Sequence, residues 1–173
     1  MSLLKVNSLQ DLGADAVVTD GVIVSSALPA GSILQVVSTT KTDTFSTTST
    51  SFTDVTGLSA SITPSSTSSK ILVLVDISRA GNTSSSYDIR FNLLRNATII
   101  GVDGSSTATS GIYANDGTAS LAASLSFSDS PATTSTTTYK IQAQVTGGTG
   151  FINRNASGTN SYSSTITLME VAG

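Results

Sequence analysis

Cysteine, histidine and tryptophan are absent from this 173-residue chain, and glutamate occurs once, at Glu170. Without cysteine there is no disulfide framework and no thiolate nucleophile. Without histidine there is no side chain poised to move protons near neutral pH, and the commonest zinc ligand is missing. Charged residues make up 11% of the chain, the formal net charge is -3, and the eight Lys and Arg stand singly. No basic stripe therefore marks a surface for nucleic acid or anionic membrane. No apolar run is long enough to span a bilayer.

About a third of the residues are serine or threonine. Chains of that kind can be disordered, but disorder goes with few β-branched residues and a large net charge. Here runs such as Ile71-Leu72-Val73-Leu74-Val75 point to a folded protein. A domain of this length buries roughly 70% of the surface its unfolded chain exposes, so no staple is needed. The N-terminus has one basic residue, Lys5, and its apolar residues come in pairs and triplets, which argues against a secretory leader. A polar, threonine-rich β protein without a leader fits a component made in a cytoplasm to work outside it, as virion proteins are.

The first thirty residues show neither sustained alternation nor a long helical stripe, although Leu4, Leu9 and Leu12 could share a short helical face. Pro29, Ala30 and Gly31 then punctuate the chain. Residues 1–30 read as an arm or linker that borrows order from a neighbour, or as a frayed tail; residues 31–173 form the domain.

From Ile33 onward the pattern is β. Strands are expected at Ile33 to Val37, Thr42 to Thr48, Ser51 to Val55 and Leu58 to Thr63, the last stopped by Pro64. Lys70 to Arg79 is apolar on both faces over Ile71 to Val75, the mark of a central strand covered on both sides. Tyr87, Ile89, Phe91 and Leu93 alternate with Asp88, Arg90 and Asn92. Arg95-Asn96 turns this strand into Ala97 to Val102 as a hairpin. Leu121 to Phe127, Tyr139 to Val145, Phe151 to Arg154 and Tyr162 to Val171 follow. This series of short strands with no helix predicts an all-β, antiparallel two-sheet sandwich or barrel, the jelly roll being the member that suits it best. Between Val102 and Leu121 lies a long connection, suspected of function for its length. Its Ile112 and Tyr113 either touch a ligand or partner at a tip or anchor the loop.

Chemistry finds little purchase. A serine nucleophile needs a base, and the nearest substitute for histidine is Lys70 beside Ser69. Glycoside hydrolysis needs two flanking carboxyls, whereas Asp20, Asp103 and Asp116 sit beside Gly, Ser or Thr as turn residues do. Asn115-Asp116-Gly117 lacks the alternating acidic ligands of a calcium loop. The sequons at Asn82, Asn96 and Asn155 are as many as chance gives in so hydroxyl-rich a chain. No enzyme, metal site or cofactor is expected. Asp76, Arg79, Asp88, Arg90 and Arg95 fall in the most apolar strands; they are either ordinary outer-face charges or ion pairs that set register between subunits.

The segments Leu28-Pro29-Ala30-Gly31-Ser32-Ile33-Leu34-Gln35-Val36-Val37, Ser51 to Leu58, Ser69 to Val75 and Tyr162 to Glu170 together resemble the jelly-roll domain recurrent in structural proteins of tailed, especially marine, bacteriophages. That domain is similar to the tumour necrosis factor and complement globular-head fold. Leu4-Lys5-Val6-Asn7-Ser8-Leu9-Gln10-Asp11 resembles the N-terminal arms of such proteins. The resemblance implies a homotrimer at the virion surface, made in the bacterial host cytoplasm. Docking onto capsid or tail proteins would fall to Leu3, Leu4, Val6 and Leu9, and subunit packing to Tyr87, Phe91 and Tyr139. Lacking heptads, collagen repeats or a shaft, the chain fits a capsid decoration or head-fibre protein; the alternative is a tail-fibre protein that recognises a host surface glycan.

Overall fold

The structure, a computed structural model, describes residues 8–10, 16–19, 22–23, 28–102, 108–113, 120–155, 157–158 and 161–173; at 8–10, 16–19, 22–23 and 111–113 it describes the backbone alone. Strands account for every regular element among these residues. In chain order they are β1 (Ser8–Gln10), β2 (Ala16–Thr19), β3 (Val22–Ile23), β4 (Ile33–Lys41), β5 (Phe45–Thr47), β6 (Thr53–Ile62), β7 (Lys70–Asn82), β8 (Asp88–Arg95), β9 (Thr98–Ile100), β10 (Ser110–Tyr113), β11 (Ser120–Asp129), β12 (Thr137–Val145), β13 (Gly150–Ile152) and β14 (Ser164–Val171).

Alternation decides which way each strand faces. In β12, Tyr139, Ile141, Ala143 and Val145 are buried while Lys140, Gln142 and Gln144 between them are half-buried. In β14, Ile166 and Leu168 point inward and Thr165, Thr167 and Met169 outward. Two antiparallel sheets bring these inner faces together. In the first, β7 has β11 on one side and, on the other, β14 and β13 end to end; β4 flanks β14 and β5 flanks β13. In the second, β12 lies between β6 and β8, and β9 and β10 share the far edge of β8. Taking β4 with β5, β9 with β10 and β13 with β14 as single rows, the rows in chain order lie 1-8-3-6 in the first sheet and 2-7-4-5 in the second. The core between them holds Val73, Val75, Ile77, Ile166 and Leu168 from one side and Leu58, Ile62, Phe91, Leu93 and Ile141 from the other. Burying each such side chain stabilises the fold by about 1.5–3 kcal/mol relative to leaving it in water.

The all-β antiparallel sandwich is as expected, with four differences. The strands expected at Ser51 to Val55 and Leu58 to Thr63 are one strand, β6, because Gly57 adopts φ 82° and the pairing with β12 shifts register between Lys140 and Gln142. Only glycine takes that conformation without strain, so the bulge carries the strand through where a turn was expected. The long connection after Val102 contains β10, which pairs with Asp88 to Phe91 of β8; residues 103–107 and 114–119 of it lie outside the described ones. Strand β7 is covered on one side only: Ile71, Val73 and Val75 are buried, but Leu72 is half-buried and Leu74 is 36% exposed. An apolar run reads alike whether its second cover comes from the same chain or another. Finally, β1, β2 and β3 pair among themselves as a small separate sheet, in a segment without sustained alternation.

Candidate functional site

The residues singled out from the sequence land in different places. Leu3, Leu4 and Val6 lie outside the described residues, and Leu9 lies in β1 opposite Val18. Ile112 and Tyr113 are strand residues, opposite Ile89 and Asp88, not the tip of a loop. Phe91 and Tyr139 have no exposed surface and are core residues of the single chain. Their assignment to a subunit interface is corrected: the alternation that marks a half-buried strand points its apolar side at the opposite sheet first. Tyr87 is 40% exposed and lies against the Gly147 backbone, where an added Cβ would stand 2.7 Å from its ring.

Most of the strand charges are consumed within the chain. Arg90 and Asp88 pair at 2.8 Å. Arg95 donates to both carboxylate oxygens of Asp129, at 2.9 and 3.0 Å, and the Tyr139 hydroxyl donates to the same carboxylate at 2.6 Å. This triad joins the ends of β8, β11 and β12, tying one sheet to the other. Burial, and then the adjoining Asp129 carboxylate, push the Tyr139 hydroxyl well above the usual phenol range, so it remains a donor. Ser69 is buried while its neighbour Lys70 is exposed. Among the described residues no three acidic side chains gather where a metal ion could sit.

The one glutamate is a structural latch. Glu170, fully buried, accepts hydrogen bonds from the Ser65 backbone N–H and hydroxyl, both at 2.7 Å, and from the Gln35 side-chain amide. It fastens the β6–β7 connection to the end of β14. Burial alone would push its carboxyl up, but the hydrogen-bonding groups around it, Gln35 and Ser65 foremost, together outweigh burial and hold it below its ordinary value. The folded chain thus binds this proton less readily than the unfolded chain. The latch contributes in full above the unfolded value near 4.5 and is lost as pH falls through the folded one. The urea midpoint is expected to drop between pH 6 and pH 3, and Glu170→Gln to flatten that drop; an unchanged slope in the variant would rule the latch out.

The two outward faces differ in kind. On the second sheet, Lys140 and Gln142 of β12 both bind the Asp54 carboxylate at 2.8 Å, and Ser61 meets Thr138 at 2.7 Å. Lys140, then Gln142, holds the Asp54 carboxyl below its usual range. That face is polar and paired with itself. On the first sheet the register sets three residues of an apolar row side by side, Val36, Met169 and Leu72, with Leu74 in the next row beside Thr167. Val36 is 55% exposed. Lys70 and Asp76 stand outward at either end of this stretch of β7, and neither forms an ion pair among the described residues. A depression of about 390 Å³ opens between Leu74, Asp76, Ser124, Ser126, Thr165 and Thr167. The sequence signal for this face was present in Ile71 to Val75, apolar on both sides, but pattern alone could not say whose surface covers the outer side.

No protein-family model matches the chain, and no curated protein matches it. No helix among the described residues is long and apolar enough to cross a membrane.

Proposed function

We propose that this chain is a non-enzymatic structural protein of a tailed-phage virion, a homotrimeric capsid decoration or head-fibre protein attached to the particle through residues 1–30. The row order 1-8-3-6 against 2-7-4-5 supports this most, because it is compatible with an eight-row jelly roll, the fold implied by the resemblance of its sequence segments to phage structural proteins. An outer face left apolar while the other is polar and self-paired suits a subunit that works beside copies of itself. The strands of the small sheet of β1, β2 and β3, with 3, 4 and 2 residues, are shorter than the usual length of about 5 or 6 residues. That supports a segment ordered by a larger surface.

Gold-labelled antibody against the protein is expected to decorate the heads of intact particles. Label confined to tail tips would transfer the protein to the fibre that recognises a host surface glycan, and unlabelled particles would overturn a virion role. Removing residues 2–27 is expected to leave a soluble sandwich that no longer binds capsids, measured by co-sedimentation; binding at full occupancy would refute docking through this segment.

A further inference from the structure

The geometry points to the outward face of the first sheet as the contact between copies of this chain, with Lys70 of one copy set against Asp76 of the next. This rests on the self-association in the function proposed above and names its surface and register. Among the described charged side chains on the outward face of β7 and its sheet neighbours, Lys70 and Asp76 carry no ion-pair partner; Asp76 has a 3.4 Å hydrogen bond from the Ser124 hydroxyl. They flank Leu72 and Leu74 on the same face of one strand, in the order positive, apolar, apolar, negative. Such a face offers a charge of each sign to its neighbours. Residues 70 and 76 are separated by about 20 Å along the strand at roughly 3.3 Å per residue. Copies whose β7 strands run alongside in the same direction would therefore stack like charges, whereas copies that run head to tail around a threefold axis bring Lys70 of one against Asp76 of the next.

The apolar part of the face lies between the charges: Val36, Met169 and Leu72 in one row, Leu74 in the next, and beyond Leu72 the exposed Ile33 beside Val171. Hydroxyls fill the rest, with Ser38 and Thr167 bonded to each other at 2.9 Å. Four rows about 4.8 Å apart and about nine residues long present on the order of 550 Å² in projection. The opposite sheet is the poorer candidate, since Asp54, Lys140, Asp88 and Arg90 are already paired there and its outward apolar contact is the single pair of Leu94 with the exposed Ile99. A copy of this chain fits the first face because its unpaired charges and its apolar row complement those of a neighbouring copy.

The test uses the full chain and sedimentation velocity across concentration. Lys70→Asp and Asp76→Lys are each expected to weaken association at least about tenfold, and the charge-swapped double variant to recover it. Leu74→Arg is expected to give monomers with an unchanged circular dichroism spectrum, since Leu74 lies outside the core. Because the chain has no cysteine, a mixture of the Lys70→Cys and Asp76→Cys variants is expected to form a mixed disulfide dimer that neither forms alone. Disulfides within the Asp76→Cys variant by itself, or association indifferent to all these changes, would overturn the assignment while leaving self-association standing. A native chain that stays monomeric at every concentration would remove the assembly itself.

Discussion

Phe91→Asp is expected to abolish folding, whereas Tyr87→Asp, four residues earlier, is expected to leave a folded protein. Phe91 is fully buried among the residues of both sheets, opposite Ala143 of β12 and Ser110 of β10. Losing its ring removes about 3–5 kcal/mol of packing, and a carboxylate in its place adds several kcal/mol for a buried charge with no partner. The sum rivals the whole stability of a domain, about 5–15 kcal/mol. Tyr87 is 40% exposed and rests on the turn at Gly147, so a carboxylate there remains in water. Far-ultraviolet circular dichroism and urea titration of the two variants decide the matter. A folded Phe91→Asp protein would contradict the burial, and two unfolded variants would make Tyr87 part of the core.

The contrast between these two residues shows how far the sequence reached. Tyr87 and Phe91 share one alternating series and look alike in it, yet one ends the strand at the surface and the other lies between the sheets. Alternation identifies an inward face, and it did so for β8, β12 and β14. It says nothing of how many layers lie above the other face. That is why Lys70 to Arg79, correctly read as the central strand, was expected to be covered on both sides when its outer side is partly open within the chain. The bulge at Gly57 was hidden for a related reason: Val55, Leu58, Ala60 and Ile62 are all buried, but the three-residue step from Val55 to Leu58 breaks the period, and a broken period reads as two strands. Charge was legible as anomaly, not as partnership. Asp88, Arg90 and Arg95 found partners two residues away or across the sheets, which spacing along the chain could not disclose for Arg95 and Asp129. Asp76 alone of the carboxylates in that set kept its outward, unpaired position, and it did so beside the apolar residues that lack a cover.

Asn153 carries a role that no pattern announced, and Asn153→Ala is expected to remove about 3–5 kcal/mol of stability. The residue is fully buried and has φ 60°, a left-handed backbone that an alanine takes at a penalty of roughly 1–2 kcal/mol and an asparagine tolerates better. Its side-chain amide donates to the Lys41 carbonyl at 2.9 Å and the Asp43 carbonyl at 3.1 Å, and its oxygen accepts from the buried Ser164 hydroxyl. Its own N–H reaches the Arg79 carbonyl at 2.8 Å. One residue thereby closes the corner where β4 gives way to β5 and β13 gives way to β14, the two breaks that let the first sheet bend at the same level. Alanine leaves these groups short of partners, at about 1–3 kcal/mol for each buried group left unsatisfied. Glycine at the same position is expected to be better than alanine by about 1 kcal/mol, since it removes the backbone strain without restoring the bonds. Aspartate would turn a carboxylate toward two carbonyls and should be at least as damaging as alanine. Urea unfolding of the three variants tests this order. An alanine variant within 1 kcal/mol of the native chain would show that the corner is held by the paired strands and not by this side chain.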